Sequence, residues 1–484
     1  MLPTDIKGSA VKYAHECAFK VLYERVSMVF ASPLFLSIFV PLLCLIYAAV
    51  PLRSRNAVLL VACAVFYAAG AGEFFFLLIG LTVVTVLLGR YTHQNTFVTT
   101  IAIALNLIPL VYYKYSSFLG HVVLDLQGVA YEPVTKGLLP LGISFYTFHA
   151  ISYIVDVSTG RIRADERGFR YALYVFLFPH LIAGPIVRYR EIERQFAASA
   201  RALRVASVSS GMQIFLIGLA KKLLLGDAAA LLADRVFGLH VPLTSATAWI
   251  GVFAYTMQIY FDFSGYSDMA IGLAKIFGFR FPRNFRRPYS AQSITDFWRR
   301  WHISLSRWLR DYVYIPLGGN RRGVGRTYVN LWAIFFICGL WHGANYTFVL
   351  WGMGHGLLMV VERLGWWRPR GWWGQLATFV LVMLLWVPFR ADSVTLTMHI
   401  WAALFGIGTV WSDAHTLGFL DPQSVTILLV AAGITLMPVR WMQGIQGWFH
   451  AHQVLRAGSI LVLFVLALMQ LIAQGFTPFI YANF

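Results

Sequence analysis

The sequence contains little charge. Of its 484 residues, 12% are Asp, Glu, Lys or Arg, whereas 58% are hydrophobic and 16% are aromatic. A water-soluble protein of this length needs far more charge to cover its surface. The composition therefore excludes a soluble globular protein, a coiled coil and a disordered chain. It predicts a membrane protein with several spans, because lipid takes the place of a polar surface.

Cysteine is also scarce. The four cysteines are scattered without a C-x-x-C pair, so neither a disulfide framework nor a cysteine metal site is predicted. The Walker phosphate loop, the H-E-x-x-H zinc motif and the G-x-S-x-G elbow are missing. His342 and His355 are the remaining alternative for a metal site, which their separation of thirteen residues does not favour. We predict no metal.

The apolar runs predict one membrane domain over residues 28–484. Residues 1–27 are more polar and lack the features of a signal peptide, which predicts an N-terminal extension, an interfacial helix or a loose tail. At about 20 residues per crossing, the runs predict an all-α bundle of about 11 transmembrane helices with re-entrant or interfacial pieces. Gly184 and Pro185 predict a helix broken inside the membrane.

Positive charge is concentrated in one stretch. The net charge is +18, and residues 280–326 hold eleven arginines and two acids, which gives +9 in a tenth of the chain. Because cytoplasmic loops of membrane proteins are rich in Lys and Arg, this stretch is predicted to lie on the cytoplasmic side, together with residues 161–170 and 188–204. This bias of Lys and Arg towards cytoplasmic loops accounts for the positive net charge of the protein. We therefore do not expect nucleic acid as a partner.

Within this stretch, aromatic and basic residues alternate at helical spacing. Phe297, Trp301, Leu305 and Trp308 recur on one face, which predicts an amphipathic helix lying at the membrane interface. Anchoring in lipid headgroups is the alternative function of its arginines and tryptophans.

Several polar residues interrupt the apolar runs. Six histidines lie in or beside them: His149, His180, His302, His342, His355 and His399. Such groups are costly at membrane depth, so each faces a cavity or a hydrogen-bonding partner. Asp262 and Asp268 are interpreted as ion-pair partners of arginines 283–287, with a polar channel as the alternative.

His342 stands in the sequence CGLWHGANYTFVLWGMGHG, where Gly339 and Gly343 allow close approach of another backbone or a ligand. A buried imidazole can take a proton from a hydroxyl group. His302 lies in the Arg-rich segment, and we predict that both histidines reach one cavity.

Long blocks of the sequence resemble the membrane-bound O-acyltransferase family, in particular its bacterial alginate O-acetyltransferase branch. They are QIYFDFSGYSDMAIGLAKIFGFRFPRNFRRPYS, SITDFWRRWHISLSRWLRDYVYIPLGGNR, CGLWHGANYTFVLWGMGHG, FPHLIAGPIVRYREI, LPLGISFYTFHAISYIVDV and, more loosely, PFIYANF. The resemblance implies about eleven spans around a central funnel. It implies acyl transfer at His342 of the W-H-G motif and His302 of the R-R-W-H-x-S-L-S motif.

The resemblance also implies a substrate and a location. Acetyl-CoA is the expected cytoplasmic donor, with no tightly bound cofactor, and an exported polysaccharide such as alginate is the expected acceptor. A periplasmic acetyltransferase and the polysaccharide export machinery are expected partners in a bacterial inner membrane, alongside lipid. Substrate or donor binding is expected at Arg299, Arg300, Trp301, Trp341 and Asn345. The alternatives are D-alanyl transfer to teichoic acid and a transporter or flippase without chemistry.

Overall fold

The structure, a computed structural model, describes residues 30–129, 139–197, 203–368, 370–412, 420–475 and 477–480. Most of these residues are helical, and none of them forms a β-strand. This confirms the all-α prediction for the described chain. The predicted N-terminal extension, residues 1–27, and the final residues of the PFIYANF block lie outside the described residues.

The chain forms helices of very different lengths. The α-helices are α1 Val40–Ala49, α2 Arg55–Ala71, α3 Phe74–Gly89, α4 Thr96–Leu110, α5 Ser116–Gln127, α6 Ile143–Ser158, α7 Phe169–Phe176, α8 Phe178–Leu181, α9 Tyr189–Ile192, α10 Val205–Ala220, α11 Asp227–Phe237, α12 Ser245–Ile276, α13 Ile294–Trp298, α14 Ile303–Leu309, α15 Val324–His342, α16 Tyr346–Leu364, α17 Gly371–Arg390, α18 Val394–Leu404, α19 Pro422–Leu436, α20 Val439–Ala451 and α21 Gln453–Gln474. Single π-helical turns are Phe35–Phe39, Val111–Tyr115, Lys221–Gly226 and Arg310–Tyr314, and 3₁₀ turns are Leu52–Ser54, Glu193–Phe196 and Pro288–Ser290.

Several helices have the length and apolar composition of membrane spans. Five in the described chain qualify: Leu52–Ala71, Thr96–Gln127, Val324–His342, Gly371–Arg390 and Gln453–Ala473. A sixth is present if α19 and α20, which meet at 97°, form one broken span. Fewer helices qualify than the eleven or so predicted, because α12 carries polar side chains along its 32 residues and α3 has only 16 residues.

The centre of the bundle is the crossing of α10 and α12. The backbones approach so closely that a Cβ atom on Gly218 would lie 2.6 Å from the carbonyl oxygen of Gly265. A Cβ on Gly272 would lie equally close to the carbonyl oxygen of Gly211. Small residues at a helix crossing permit such contact, which is the main source of packing energy between helices in lipid.

Buried charges join these two helices. The Lys222 ammonium lies 2.5 Å from the Asp227 carboxylate and 3.5 Å from that of Asp262. Lys221 pairs with Asp268 at 2.6 Å. The predicted pairing of Asp262 and Asp268 with arginines 283–287 is therefore wrong. The π-helical turn after α10 places both lysines against α12, and a lysine across a helix crossing is nearer than an arginine in a later loop.

The bundle has two ends of different character. At one end, called the basic end, residues 161–170, 188–195 and 280–322 meet. Asp156 pairs with both Arg161 and Arg190, Asp311 pairs with Arg188 and Arg190, and the backbone amide of Arg280 donates to Gln195 Oε1 at 2.7 Å. These contacts confirm that the basic segments share one side.

At the opposite end, Arg390 pairs with Asp234 at 2.7 Å. Asn345 Nδ2 donates to the carbonyl oxygen of Asp392 at 3.2 Å there. The helices that run between the two ends determine how far each site residue lies from either end.

Gly184 and Pro185 lie in a buried, non-helical segment that follows α8, so the predicted break is confirmed. Its irregular backbone is covered by protein and bonded to it, as lipid requires: the backbone amide of Ile186 donates to Ser304 Oγ at 2.9 Å. The break therefore packs directly against α14, the helix that follows His302.

Candidate active site

The segment that carries His302 is a re-entrant hairpin. The predicted continuous helix at the membrane interface is wrong, because His302 has φ 42° and ψ 53°, in the left-handed region, and separates α13 from α14. The four apolar residues that suggested an interfacial face are buried in the protein: Phe297, Trp301, Leu305 and Trp308. A periodic apolar stripe does not distinguish a face buried in lipid from one buried in protein.

Asn284 is the physical cause of this break. Its carbonyl oxygen accepts a hydrogen bond from the backbone amide of Ile303 at 2.9 Å. Its side-chain oxygen Oδ1 accepts one from the backbone amide of Ser304 at 3.2 Å. The first amides of α14 are thereby bonded without a preceding helical turn, as a cap does at other helix starts.

The same side chain holds the His302 ring. Nδ1 of His302 lies 3.1 Å from Oδ1 of Asn284. The ring of Phe263 packs perpendicular to the imidazole at 4.7 Å between centroids. Nε2 of His302 is buried and has no hydrogen-bond partner among the described residues. The imidazole is therefore fixed at one nitrogen and available for chemistry at the other.

His342 reaches the same place on a different helix. It ends α15, which starts beside the arginines at 321 and 322, so nineteen helical residues place it about 27 Å from the basic end. Its ring centroid lies 6.5 Å from that of His302, at an interplanar angle of 59°. The structure thus brings together the two histidines that the sequence singled out, both of them buried.

Aromatic rings enclose His342. The rings of Trp341, Trp351 and Phe389 lie 4.8, 5.0 and 5.1 Å from it. Trp341 also lies 5.9 Å from His302. An environment of this kind excludes bulk water. Of the predicted binding residues, Trp341 is thus placed beside both histidines.

The glycines beside His342 serve packing. The Cβ positions of Gly339 and Gly343 are both occupied by Phe348, through its backbone and its ring respectively. The predicted close approach is therefore that of α16 to α15, with no room left for a ligand at these two positions.

A lysine holds the end of the helix that carries His342. Lys114 Nζ donates to the carbonyl oxygen of Trp341 and to Ser144 Oγ, the latter at 3.1 Å. Tyr115 donates its hydroxyl hydrogen to the carbonyl oxygen of Leu340 at 2.9 Å. The last carbonyl groups of a helix lack partners within it, and a cation there is also favoured by the helix dipole. Lys114 therefore stabilises the position of His342.

The other predicted binding residues have structural contacts. Asn345 caps α16, because its side chain accepts from the backbone amide of Thr347 at 3.1 Å. Trp301 is buried and packs against Trp386 at 4.9 Å. Arg300 pairs with Asp296 on its own hairpin at 2.8 Å, and the side chain of Arg299 is exposed.

Sequence reasoning missed Asn284 and Lys114. Lys114 had a usable signal, since it is a charged residue inside the apolar run LIPLVYYKYSSF. Asn284 had none, because Asn in a loop between arginines is unremarkable without the fold.

Two further groups of buried polar side chains lie outside the pair of His302 and His342. Trp298 Nε1 donates to His355 Nδ1 at 3.3 Å, and Trp351 separates His355 from His342. His149 and His180 form a second pair, 4.4 Å apart. In the described part of the chain, no group of three or more His, Cys, Asp or Glu side chains is arranged to hold a metal ion.

Arginines dominate the electrostatics of the basic end. Burial alone would raise the pKa of the Asp311 carboxyl, but Arg310, Arg188 and Arg190 together hold that pKa below its usual value. The carboxylate therefore stays ionised and forms ion pairs with all three of these arginines.

Comparison with known proteins identifies the family. The profile of MBOAT, the membrane-bound O-acyltransferase family, matches residues 167–365. The chain is 40% identical to the Probable alginate O-acetylase AlgI of Azotobacter vinelandii, over 94% of this chain and 100% of that protein. The chain belongs to the membrane-bound O-acyltransferase family.

Two further relatives of the chain are named for other polymers. A Peptidoglycan O-acetyltransferase of Helicobacter pylori is 34% identical over 79% of this chain and 81% of its own. A Teichoic acid D-alanyltransferase of Bacillus subtilis is 27% identical over 60% of this chain and 76% of its own. The protein is thus a multi-pass membrane enzyme that transfers an acyl group to oxygen.

Proposed function

We propose that the protein takes acetyl groups from acetyl-CoA in the cytoplasm and passes them through the bacterial inner membrane, for O-acetylation of an exported polysaccharide such as alginate. The observation that carries this proposal is the pair of buried histidines, 6.5 Å apart, which two different segments of the chain bring together inside the bundle, away from the basic end. A reaction between a donor on one side and an acceptor on the other needs such a meeting point.

The proposed membrane layout has about eleven spans around a central funnel. The contacts at the two ends support it, because successive helices alternate between them. For example, α15 runs from the basic end to the opposite end, α16 returns, and α17 crosses again to Arg390. By the bias of Lys and Arg, the basic end faces the cytoplasm.

The chemistry follows from the two imidazoles. His342 activates the acceptor hydroxyl by taking its proton, and the oxygen attacks the carbonyl carbon of the thioester. His302 orients the hydroxyl, shares its proton or stabilises developing charge. The surrounding Trp and Phe rings exclude water, which otherwise competes with the acceptor.

The donor enters at the basic end. Arginine side chains there bind phosphate groups well, since the guanidinium offers paired donors that match phosphate oxygens. Arg299 and Arg300 lie on the hairpin that carries His302, so a donor bound there has its thioester directed towards the histidines. No tightly bound cofactor is needed for this transfer.

The acceptor side requires partners. A periplasmic acetyltransferase and the polysaccharide export machinery are proposed to receive the acetyl group at the end where Asn345 contacts Asp392. D-alanyl transfer to teichoic acid is the second candidate. The acetyl route is favoured because identity is 40% to the alginate O-acetylase of Azotobacter and 27% to the D-alanyltransferase of Bacillus.

The test combines two measurements. Purified protein in lipid nanodiscs is expected to release free coenzyme A from acetyl-CoA when an acceptor polysaccharide is supplied, which a transporter without chemistry does not do. Deletion of the gene is expected to remove O-acetyl groups from one exported glycan. Loss of D-alanine from teichoic acid, with acetylation intact, would overturn the proposal in favour of the second candidate.

A further inference from the structure

The hydrogen atoms around Asn284 can be assigned without ambiguity. The backbone amide of Ser304 can only donate, and it lies 3.2 Å from Oδ1 of Asn284. That atom is therefore the carbonyl oxygen of the side chain. The amide nitrogen Nδ2 faces the other way and donates to Ser267 Oγ at 3.2 Å.

This assignment fixes the tautomer of His302. Its Nδ1 lies 3.1 Å from the same oxygen, so Nδ1 must carry the hydrogen of the neutral ring. A neutral imidazole has a single N–H, and Nε2 is therefore left with a lone pair. Ser304 Oγ, 2.8 Å from Oδ1, donates to the same atom and helps to hold it in place.

The backbone reinforces the arrangement. The left-handed conformation of His302 is unfavourable for a residue other than glycine and persists where its surroundings enforce it. The bond from the Ile303 amide to the Asn284 carbonyl supplies that constraint. The His302 ring is fully buried, and beyond Phe263 the rings of Trp341 and His342 lie beside it, at 5.9 and 6.5 Å between centroids.

We propose that Asn284 is a positioning residue that holds His302 in its Nδ1-protonated tautomer, so that Nε2 acts as a proton acceptor in acyl transfer. A lone pair on Nε2 lets His302 accept the proton of the hydroxyl, or a hydrogen bond from it, and rules out donation from Nε2 to developing negative charge. This inference rests on the proposed function and specifies it further.

The proton balance is simple. The acceptor oxygen bonds to the carbonyl carbon while its proton passes to the histidine pair, and the carbon–sulfur bond breaks. The same proton returns to the sulfur, so that an ester and a thiol result. An Nε2 that already carried hydrogen could donate but could not take part in this uptake.

The decisive measurement is ¹⁵N NMR of histidine-labelled protein in nanodiscs, with the His302 signals identified by their loss in His302→Gln. The wild-type protein is expected to show hydrogen on Nδ1 and none on Nε2. The Asn284→Leu variant is expected to lose this preference. Hydrogen on Nε2 of wild-type His302 overturns the proposal, whether or not the protein transfers acetyl groups.

Turnover provides the second measurement. Asn284→Leu is expected to lower kcat about 100-fold, within the range of general acid–base catalysis, with KM for acetyl-CoA unchanged. Asn284→Asp keeps an acceptor oxygen and is expected to stay within about tenfold of wild type. The control is Asn106→Leu, which removes another buried amide, bonded to Thr85 and Ala102, and is expected to keep wild-type kcat.

The outcomes separate the two proposals. If wild-type protein shows the Nδ1 tautomer but transfers no acetyl group, the proposed function fails and the assignment of the tautomer stands. Full kcat in Asn284→Leu together with an altered tautomer overturns the role in catalysis. If Asn284→Leu does not fold, two results still test the proposal: the position of the hydrogen on wild-type His302 in the NMR spectrum, and the turnover of Asn284→Asp.

Discussion

The imidazole rings of His302 and His342 lie 6.5 Å apart although they belong to different segments of the chain, both of which start at the basic end. One is carried by a hairpin that enters from the basic end and turns back, and the other ends a helix that starts there. The structure therefore places the two histidines that are candidates for acyl transfer at one buried position.

His342→Ala is expected to reduce acetyl transfer by about 100-fold or more, since a general base contributes 10²–10⁴-fold to the rate. Release of free coenzyme A by purified protein in nanodiscs measures this. The control is His399→Ala, because His399 is exposed in the described structure and lies outside the site. A folded His342→Ala protein with wild-type turnover contradicts the catalytic assignment.

Lys114→Met is expected to lower both thermal stability and turnover. The substitution keeps the length of the side chain but removes the donor to the Trp341 carbonyl, which leaves a buried acceptor unbonded at a cost of about 1–3 kcal/mol. Tyr115→Phe removes the neighbouring bond to Leu340 and is the matched control for helix capping.

If Lys114 acts only as a cap, Lys114→Met and Tyr115→Phe reduce turnover in proportion to their loss of stability. If Lys114→Met has the same melting temperature and turnover as the wild-type protein, the hydrogen bond from Lys114 to the Trp341 carbonyl is dispensable.

Gly218→Ala is expected to destabilise the bundle by about 1–3 kcal/mol, the usual cost of overpacking. Its Cβ would lie 2.6 Å from the backbone oxygen of Gly265, which cannot rotate away. Gly120→Ala is the control, because nothing lies within 4 Å of the added atom and alanine favours helix. Melting temperatures in one detergent measure the difference, and equal values for the two variants would contradict the tight crossing.

Asp311→Asn is expected to lower stability at neutral pH. Because the folded pKa of Asp311 is lowered, its contribution is present above the unfolded pKa of about 4 and is lost as pH falls through the folded value. The difference in melting temperature between the variant and wild type should therefore be full at pH 7 and shrink below about pH 4. A difference that does not change with pH contradicts the ion pairs with Arg188 and Arg190.

Sequence alone predicted the class of the fold and the two histidines but not how they are held. The membrane class follows from composition, and the break at Gly184 and Pro185 from the chemistry of those residues. The hairpin at His302 could not be predicted, because its cause is Asn284, eighteen residues earlier. The predicted partners of Asp262 and Asp268 were wrong for a similar reason. The crossing of α10 and α12 determines which charged side chains lie close together, and the sequence does not show that crossing.

The last described residues of the chain are bound to the buried charges. Lys222 donates to the carbonyl oxygen of Thr477 at 2.9 Å, and the backbone amide of Ile480 donates to Asp262 at 2.9 Å. During synthesis, more than 200 residues are added after Asp262 before these partners exist. These two hydrogen bonds therefore form only after residues 477–480 have been synthesised, so the buried charges of Lys222 and Asp262 gain part of their bonding late in translation.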